Sequence, residues 1–367
     1  MPVAAALPAR PRVLEPGGPP LLDAERPRTV CIVLLSGIGD VVHGLPLARD
    51  VKRVNPEHRV VWVAEPAPSG VLAHHPSVDR VVVQRRGGGL RALAELRSAL
   101  REVRADLTLN AQRYLKSLWP TLFASAGPRV GLPRTISRDG IWRAHTHLLP
   151  DGPWKHTQDL FLDFRVALGV PRDAEVDWDV TFSERERQEQ RAFFEGFDGR
   201  PRVALVLGSA NAAKDWPAER YVPLAEALEG DLGYRVLLVG GPSPAERAAA
   251  ALVTGRARTE PLDCTGDDVR RMMWLVDGCD LVISPDTGPL HLAHALDVPV
   301  VGLFGHTNPW RVGPWRRFHD LVIDRYTDPD EAPDPSRHEP RHGRMERIEV
   351  RDVLERVERA PRARRRP

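Results

Sequence analysis

Two aspartates stand on glycine turns where a strand hands over to a helix, and the other residues able to do chemistry fall into place around them. The clearer turn lies in 281–305. Residues 281–283 form a short apolar run, as a strand buried on both faces of a parallel sheet requires. Asp286-Thr287-Gly288 then breaks the chain. Pro289 is tolerated in a first helical turn because its missing N–H costs nothing there. Leu292, Ala295 and Leu296 make one apolar stripe, and 298–304 reads as a second buried strand. This is a βαβ unit with a polar turn at the carboxyl end of its first strand, where parallel sheets bind ligands. The turn's unpaired N–H groups and the helix dipole suit an anion, most simply a diphosphate. The same residues also describe an ordinary capped helix. The second turn, Ser36-Gly37-Ile38-Gly39-Asp40, follows an apolar run at 30–35 and opens a helix at 41–54. Gly37 and Gly39 supply the first two glycines of a dinucleotide fingerprint, and Glu65 ends the next strand where a ribose-binding acid would sit. Val42, however, occupies the place of the third glycine. The turn lets a bulky group approach Asp40, which is also the kind of first-turn acid the dipole favours.

These turns need a scaffold, and the sequence supplies α/β units in series. Strands are expected at 59–64, 78–83, 106–110 and 129–131, with helices at 90–103, 114–124 and 155–168. The last carries Leu160, Phe161, Phe164 and Leu168 on one stripe. A basic, glycine-rich loop, 85–89, contains Arg85 and Arg86. The pattern restarts at 202–207 with a strand ending in Gly208-Ser209, then a helix at 216–228, a strand at 234–239, helices at 245–253 and 269–276, and a late strand at 320–323. Asp177-Trp178-Asp179 has metal-binding form but no nearby ligand-bearing turn. Residues 326–344 are a long Pro/Asp/Arg-rich segment, and such segments are either functional or disordered. A helix at 350–357 closes the chain. The expected division is a disordered tail at 1–27, an N-terminal Rossmann-like domain at 28–175, a second at 176–345, and a helix with a basic tail at 346–367.

Composition narrows the function classes. A chain of 367 residues is long for one core, so two domains are the natural expectation. The formal net charge of +2 does not mark a nucleic-acid binder. Cys31, Cys264 and Cys279 are far apart, with no metal spacing, and read as reduced thiols of a cytosolic protein. No run of about eighteen apolar residues suggests a membrane span. Arg362, Arg364, Arg365 and Arg366 form a short basic tail able to touch an anionic surface. His291 and His294 have the spacing of a metal pair, but no third ligand is visible, and no metal or cofactor is expected.

Four motifs in register carry a family resemblance. Ser36-Gly37-Ile38-Gly39-Asp40-Val41-Val42-His43 with Leu45-Pro46 resembles the opening motif of glycosyltransferase family 9, the lipopolysaccharide heptosyltransferase family. Asn110-Ala111-Gln112 with Lys116-Ser117 resembles its Asp-x-Gln-Gly…Lys-Ser segment. Lys214-Asp215-Trp216-Pro217 resembles its Lys-x-Trp-Pro segment, and Asp286-Thr287-Gly288-Pro289-Leu290-His291 its Asp-[Ser/Thr]-Gly-x-x-His signature. Residues 302–309 with Gly313-Pro314 resemble the loop that follows.

The resemblance implies an α/β protein of GT-B fold, with two Rossmann-like domains facing across a cleft. The N-terminal domain would take a glycan or glycolipid acceptor, and the C-terminal domain a nucleotide sugar, typically ADP-heptose. It implies inverting transfer without a metal, since a helix N-terminus and a lysine can carry the charge of a leaving diphosphate. Asp40 would be the general base. Lys214 would pair with the diphosphate, Thr287 and Gly288 would donate to it, and Ser209 would add a further donor. Asp286 would hold sugar hydroxyls or cap its turn, and His291 would point at the sugar or diphosphate. Gly39, Arg85, Arg86, Gln112, Arg113 and Lys116 would face a phosphorylated or acidic acceptor, with peripheral contact to the inner membrane. The chain departs from the family where Asn110 replaces Asp, Arg113 replaces Gly, Pro242-Ser243 stand where a ribose-binding acid is common, and His306 and Asn308 replace the Pro and Asp of a Gly-Pro-Thr-Asp-Pro loop. A non-catalytic nucleotide-sugar-binding protein and a nicotinamide-dependent oxidoreductase are the alternative readings, the second disfavoured by Val42.

Overall fold

The computed structural model describes residues 10–85, 87 and 89–361. Arg86, the start of the N-terminal tail and the basic residues 362–367 lie outside them. The chain divides into two compact units, residues 1–181 and 182–367, a few residues past the boundary expected at 175.

The first unit is built on a seven-stranded sheet in which every pairing is parallel. Its strands are β1 (Arg12–Val13), β2 (Thr29–Val33), β3 (Arg59–Ala64), β4 (Arg80–Val83), β5 (Leu107–Asn110), β6 (Arg129–Gly131) and β7 (His147–Leu148), in the order β1-β7-β6-β5-β2-β3-β4. β2, β3 and β5 are buried almost throughout, which explains their Val/Ile/Leu-rich sequences. The helix Ile38–Val54 lies close against the sheet at Gly44, where a Cβ would come within 2.7 Å of Leu34.

Disorder across 1–27 is overturned for its described part. Arg12 and Leu14 donate backbone hydrogen bonds to Thr146 and Leu148, Leu21 donates to Ala167, and Leu22 is buried. Composition suggested a free tail, but the backbone completes a sheet edge and one leucine finds the core. The single helix expected at 155–168 is two, Thr157–Leu162 and Arg165–Leu168. The second is anchored by Arg165, buried with Asp50 at 2.7 Å. Asp177 and Asp179 face Arg49, Asp179 at 2.7 Å, so the metal-like pair is one half of an ion pair.

The second unit carries a six-stranded parallel sheet of β8 (Arg202–Val206), β9 (Arg235–Val239), β10 (Leu262–Asp263), β11 (Leu281–Pro285), β12 (Val300–Phe304) and β13 (Ile323–Asp324), ordered β10-β9-β8-β11-β12-β13. A helix not anticipated from periodicity, Glu184–Glu195, is closed at its start by a Ser183–Glu186 capping box. Its charged surface hid it, while Phe194 inserts into the core beside Trp274. The late strand is shorter than expected, because His319–Leu321 is a 3₁₀ turn. Residues 326–344 are ordered, laced by ion pairs from Arg341 and Arg344 to Asp328 and Glu331.

The order in which successive strands are added reverses once in each sheet, between β2 and β5 in the first unit and between β8 and β11 in the second. These are the topological switch points at which doubly wound sheets open a crevice outside their carboxyl ends. No helix among the described residues is long and apolar enough to cross a membrane.

Candidate active site

Both aspartate turns sit at switch points. In the first unit β2 runs into Gly37, whose φ of 80° is the left-handed region that glycine enters without strain. Asp40 follows in the first turn of the helix Ile38–Val54 and is exposed at its rim. Its carboxylate folds back over the turn, so that a Cβ at Gly37 would lie 3.0 Å from Asp40 Oδ2. Gly39 is half-buried beside it.

At the end of β5, across the switch point, a buried polar network holds this turn. Leu35 N–H donates to Gln112 Oε1 at 3.0 Å, and Gln112 N–H donates to Asn110 Oδ1. Asn110 Nδ2 donates to Ser117 Oγ and lies 3.0 Å from His145 Nε2. Burial drives the His145 pKa down to about 3, so the ring is neutral and accepts. An aspartate at position 110 would have no hydrogen to give either partner, which explains the amide. Lys116 reaches Ser36 Oγ at the head of the Asp40 turn and pairs with Glu65 at 3.3 Å. Glu65, placed where a dinucleotide-binding acid would stand, is thus engaged by a lysine. Arg113 stacks over Trp154 at 4.6 Å and points its Nε at the Ile136 carbonyl. Arg85 is exposed in the loop after β4. The structure therefore brings Asp40, Gly39, Gln112 and Lys116 to one edge of the sheet.

In the second unit Asp286 leaves β11 buried. Lys214 Nζ lies 2.8 Å from its Oδ2, and His291 Nε2 lies 3.3 Å from its Oδ1. Burial pushes the Asp286 pKa up, but Lys214 and His291 outweigh it and hold the carboxyl well below the usual carboxylate range. Thr287 is the N-cap of the helix Gly288–Ala295 yet makes no side-chain cap. Pro289 has no N–H and Leu290 N–H donates to the Thr287 carbonyl, so the donors left at this helix start are the Thr287 hydroxyl and the Gly288 N–H. Lys214 ends a 3₁₀ turn, Ala212–Lys214. That turn is pinned by Trp216, which is buried on Tyr221 and donates to the Ile348 carbonyl. Ser209 Oγ, at the end of β8, lies within hydrogen-bonding distance of Asp215 Oδ1 and the Asn211 carbonyl.

One acid escaped the motif reading. Glu246 accepts from Gly241 N–H at 2.7 Å and from Ser243 Oγ, and reaches over Gly208 and Gly240, whose added Cβ atoms would touch it. The site thus has a carboxylate just past the glycine turn, displaced three residues along from Pro242-Ser243 into the first turn of Pro244–Arg256. The Ser243-x-x-Glu246 capping signal was the cue. Beside it a cavity of about 220 Å³ is lined by Gly240, Cys264, Gly266, Asp268, Arg271 and Met272. Among the described residues no group of three or more His, Cys, Asp or Glu is arranged to hold a metal.

Two parallel-sheet units of this kind define a GT-B glycosyltransferase fold, and solved structures agree. A family 9 glycosyltransferase from Veillonella parvula superposes with a TM-score of 0.77 over 92% of this chain and 97% of its own, at 23% identity. The chain belongs to glycosyltransferase family 9 (heptosyltransferase), whose model matches residues 93–334. It is 31% identical over 306 residues to lipopolysaccharide heptosyltransferase 1 of Pseudomonas aeruginosa, covering 78% of this chain and 81% of that one. It is 27% identical over 304 residues to the lipopolysaccharide core heptosyltransferase OpsX of Haemophilus influenzae, covering 82% and 86%. The protein is therefore a glycosyltransferase, and the oxidoreductase and non-catalytic alternatives fall away.

Proposed function

We propose that this enzyme transfers a heptose from an ADP-heptose-like donor to a lipopolysaccharide-core-like acceptor, with inversion and without a metal. The observation that carries the reading is the cluster of Asp286, Lys214 and His291 at the head of Gly288–Ala295. A lysine beside the positive end of a helix, with the Gly288 N–H and the Thr287 hydroxyl at its head, is an anion site, and it stabilises charge as that charge grows on a departing diphosphate. Thr287 and Gly288 donate to the diphosphate and Ser209 lies near it. Glu246 meets the ribose hydroxyls, with the base in the adjacent cavity. Asp40 takes the proton of the acceptor hydroxyl, and Arg85, Arg86, Gln112, Arg113 and Lys116 hold the acceptor's acidic groups. The enzyme works on the cytoplasmic side, with its basic end against the inner membrane.

The test is a transfer assay with ADP-heptose and a heptose-free core acceptor in EDTA, followed by NMR of the new linkage. Undiminished transfer with inverted configuration is expected. Transfer abolished by EDTA and restored by magnesium would sink the metal-free mechanism, and retained configuration would sink the single displacement. Equal or better turnover with GDP-, UDP- or dTDP-sugars would reassign the donor.

A further inference from the structure

His306 and Asn308, the two departures in the loop after β12, both point at the segment 326–344. β11 and β12 pair with Pro285 opposite Leu303, so Asp286 and His306 leave neighbouring strands at the same sheet edge. His306 is 5% exposed. Its Nδ1 lies 3.2 Å from the Arg341 carbonyl, and its own carbonyl accepts from Arg341 N–H at 3.0 Å. Arg341 is in turn held by the Tyr326 carbonyl, Asp328 and Glu331. Asn308 Nδ2 donates to the carbonyls of Asp334 and Arg337, which an aspartate cannot do. Gly305 completes the fit, since a Cβ there would lie 2.5 Å from the Arg344 backbone. The long segment is thus a brace, and it fixes the side chains of both Asn308 and His306.

The brace also fixes the ring's hydrogens. A carbonyl only accepts, so Nδ1 must carry the hydrogen and Nε2 the lone pair. Among the described residues the ring's hydrogen bond is made by Nδ1, and none is made by Nε2. We infer that His306 recognises the donor sugar, its Nε2 accepting a hydrogen bond from a hydroxyl of the sugar being transferred; this rests on the donor reading above. The chemistry selects that group. A diphosphate offers no hydrogen to an acceptor and is repelled by one, whereas a sugar hydroxyl has a hydrogen to give.

The Arg341 carbonyl and His342, at 4.9 Å between ring centroids, pack against the ring, and the charges of Lys214 and Asp286 act on it. Burial, aided by His342 and Lys214, outweighs the carbonyl and Asp286 and keeps the ring below the ordinary histidine value. It is therefore a neutral acceptor at neutral pH.

The test is calorimetry of ADP and ADP-heptose on the full chain and two variants, with a thermal melt of each. His306→Asn places an amide where Nδ1 sits, keeping the link to Arg341, but has no acceptor at the Nε2 position. It should weaken ADP-heptose roughly two- to twelvefold, the span of one neutral hydrogen bond, with ADP unchanged. His306→Gln, whose amide oxygen reaches the Nε2 position, should recover part of the loss. In the wild type the preference for ADP-heptose over ADP should fall as pH drops below the ordinary histidine range, and in His306→Asn it should stay flat. Equal weakening of both ligands, no weakening of either, or a flat wild-type ratio overturns the inference. A wild type that binds neither ligand overturns the donor reading itself and this inference with it.

Discussion

The turn at Asp40 and the turn at Asp286 share one backbone plan and differ in what surrounds the carboxylate. Each follows a buried parallel strand, opens a helix and stands at a switch point of its sheet. Asp40 is exposed, with its carboxylate folded over a left-handed glycine. Asp286 is buried between a lysine and a histidine that keep it ionised far below the usual range. A carboxylate stabilised so strongly as an anion is a poor proton acceptor, because taking the proton would forfeit both contacts. The same fold element thus holds an exposed carboxylate in one unit and a fixed, paired one in the other, with neighbouring charge and burial deciding which. Two variants of Asp and one of Lys probe that division, and an arginine marks its edge.

The largest effect belongs to Asp40→Asn, which keeps size and hydrogen bonding but cannot accept a proton. Single-turnover transfer should slow by roughly 10²–10⁴-fold while calorimetric donor affinity holds. Near-normal transfer would place the base elsewhere. Asp286→Asn should act on stability instead. It strands Lys214 and His291, costing roughly 3 kcal/mol in a urea titration, at the low end for a broken buried pair because Lys214 keeps some solvent.

The pH dependence follows from the depressed pKa of Asp286. The unfolded carboxyl binds a proton before the folded one does, so its stabilisation is present above the ordinary aspartate range. It is lost as pH falls through and below that range, and Asp286→Asn should flatten that limb of the stability curve. Lys214→Ala removes a charge-assisted contact worth roughly 1.5–3 kcal/mol of ADP affinity. Unchanged ADP affinity would remove Lys214 from the anion site. The smallest change is expected at the exposed Arg85, where reversal to Glu should raise the acceptor Michaelis constant a little and flatten its salt dependence. Altered donor kinetics alone would detach the loop from the acceptor.

Local pattern was enough to read the longer parallel strands, both glycine turns and the residues on them, but not the two-residue strands β1, β7 and β10. An apolar run buried on two faces and a glycine that must adopt positive φ leave their marks within a few residues. The order of the strands, and hence the fact that both aspartates stand at switch points, is a matter of non-local pairing that no window of sequence contains. The same limit hid the edge strand at Arg12–Val13, whose only cause is the free edge of β7, more than a hundred positions away. It also hid the place of Glu246, whose carboxylate lies over Gly208 after β8 and over Gly240 and Gly241 after β9. Residues 326–344 showed only their composition, and their purpose as a brace appears when Arg341 meets His306 across 35 positions. Chain-local chemistry settled which groups this protein possesses. Only the packing of distant segments decided which carboxylate is exposed and which is locked, since burial and charge pairing are properties of neighbours in space.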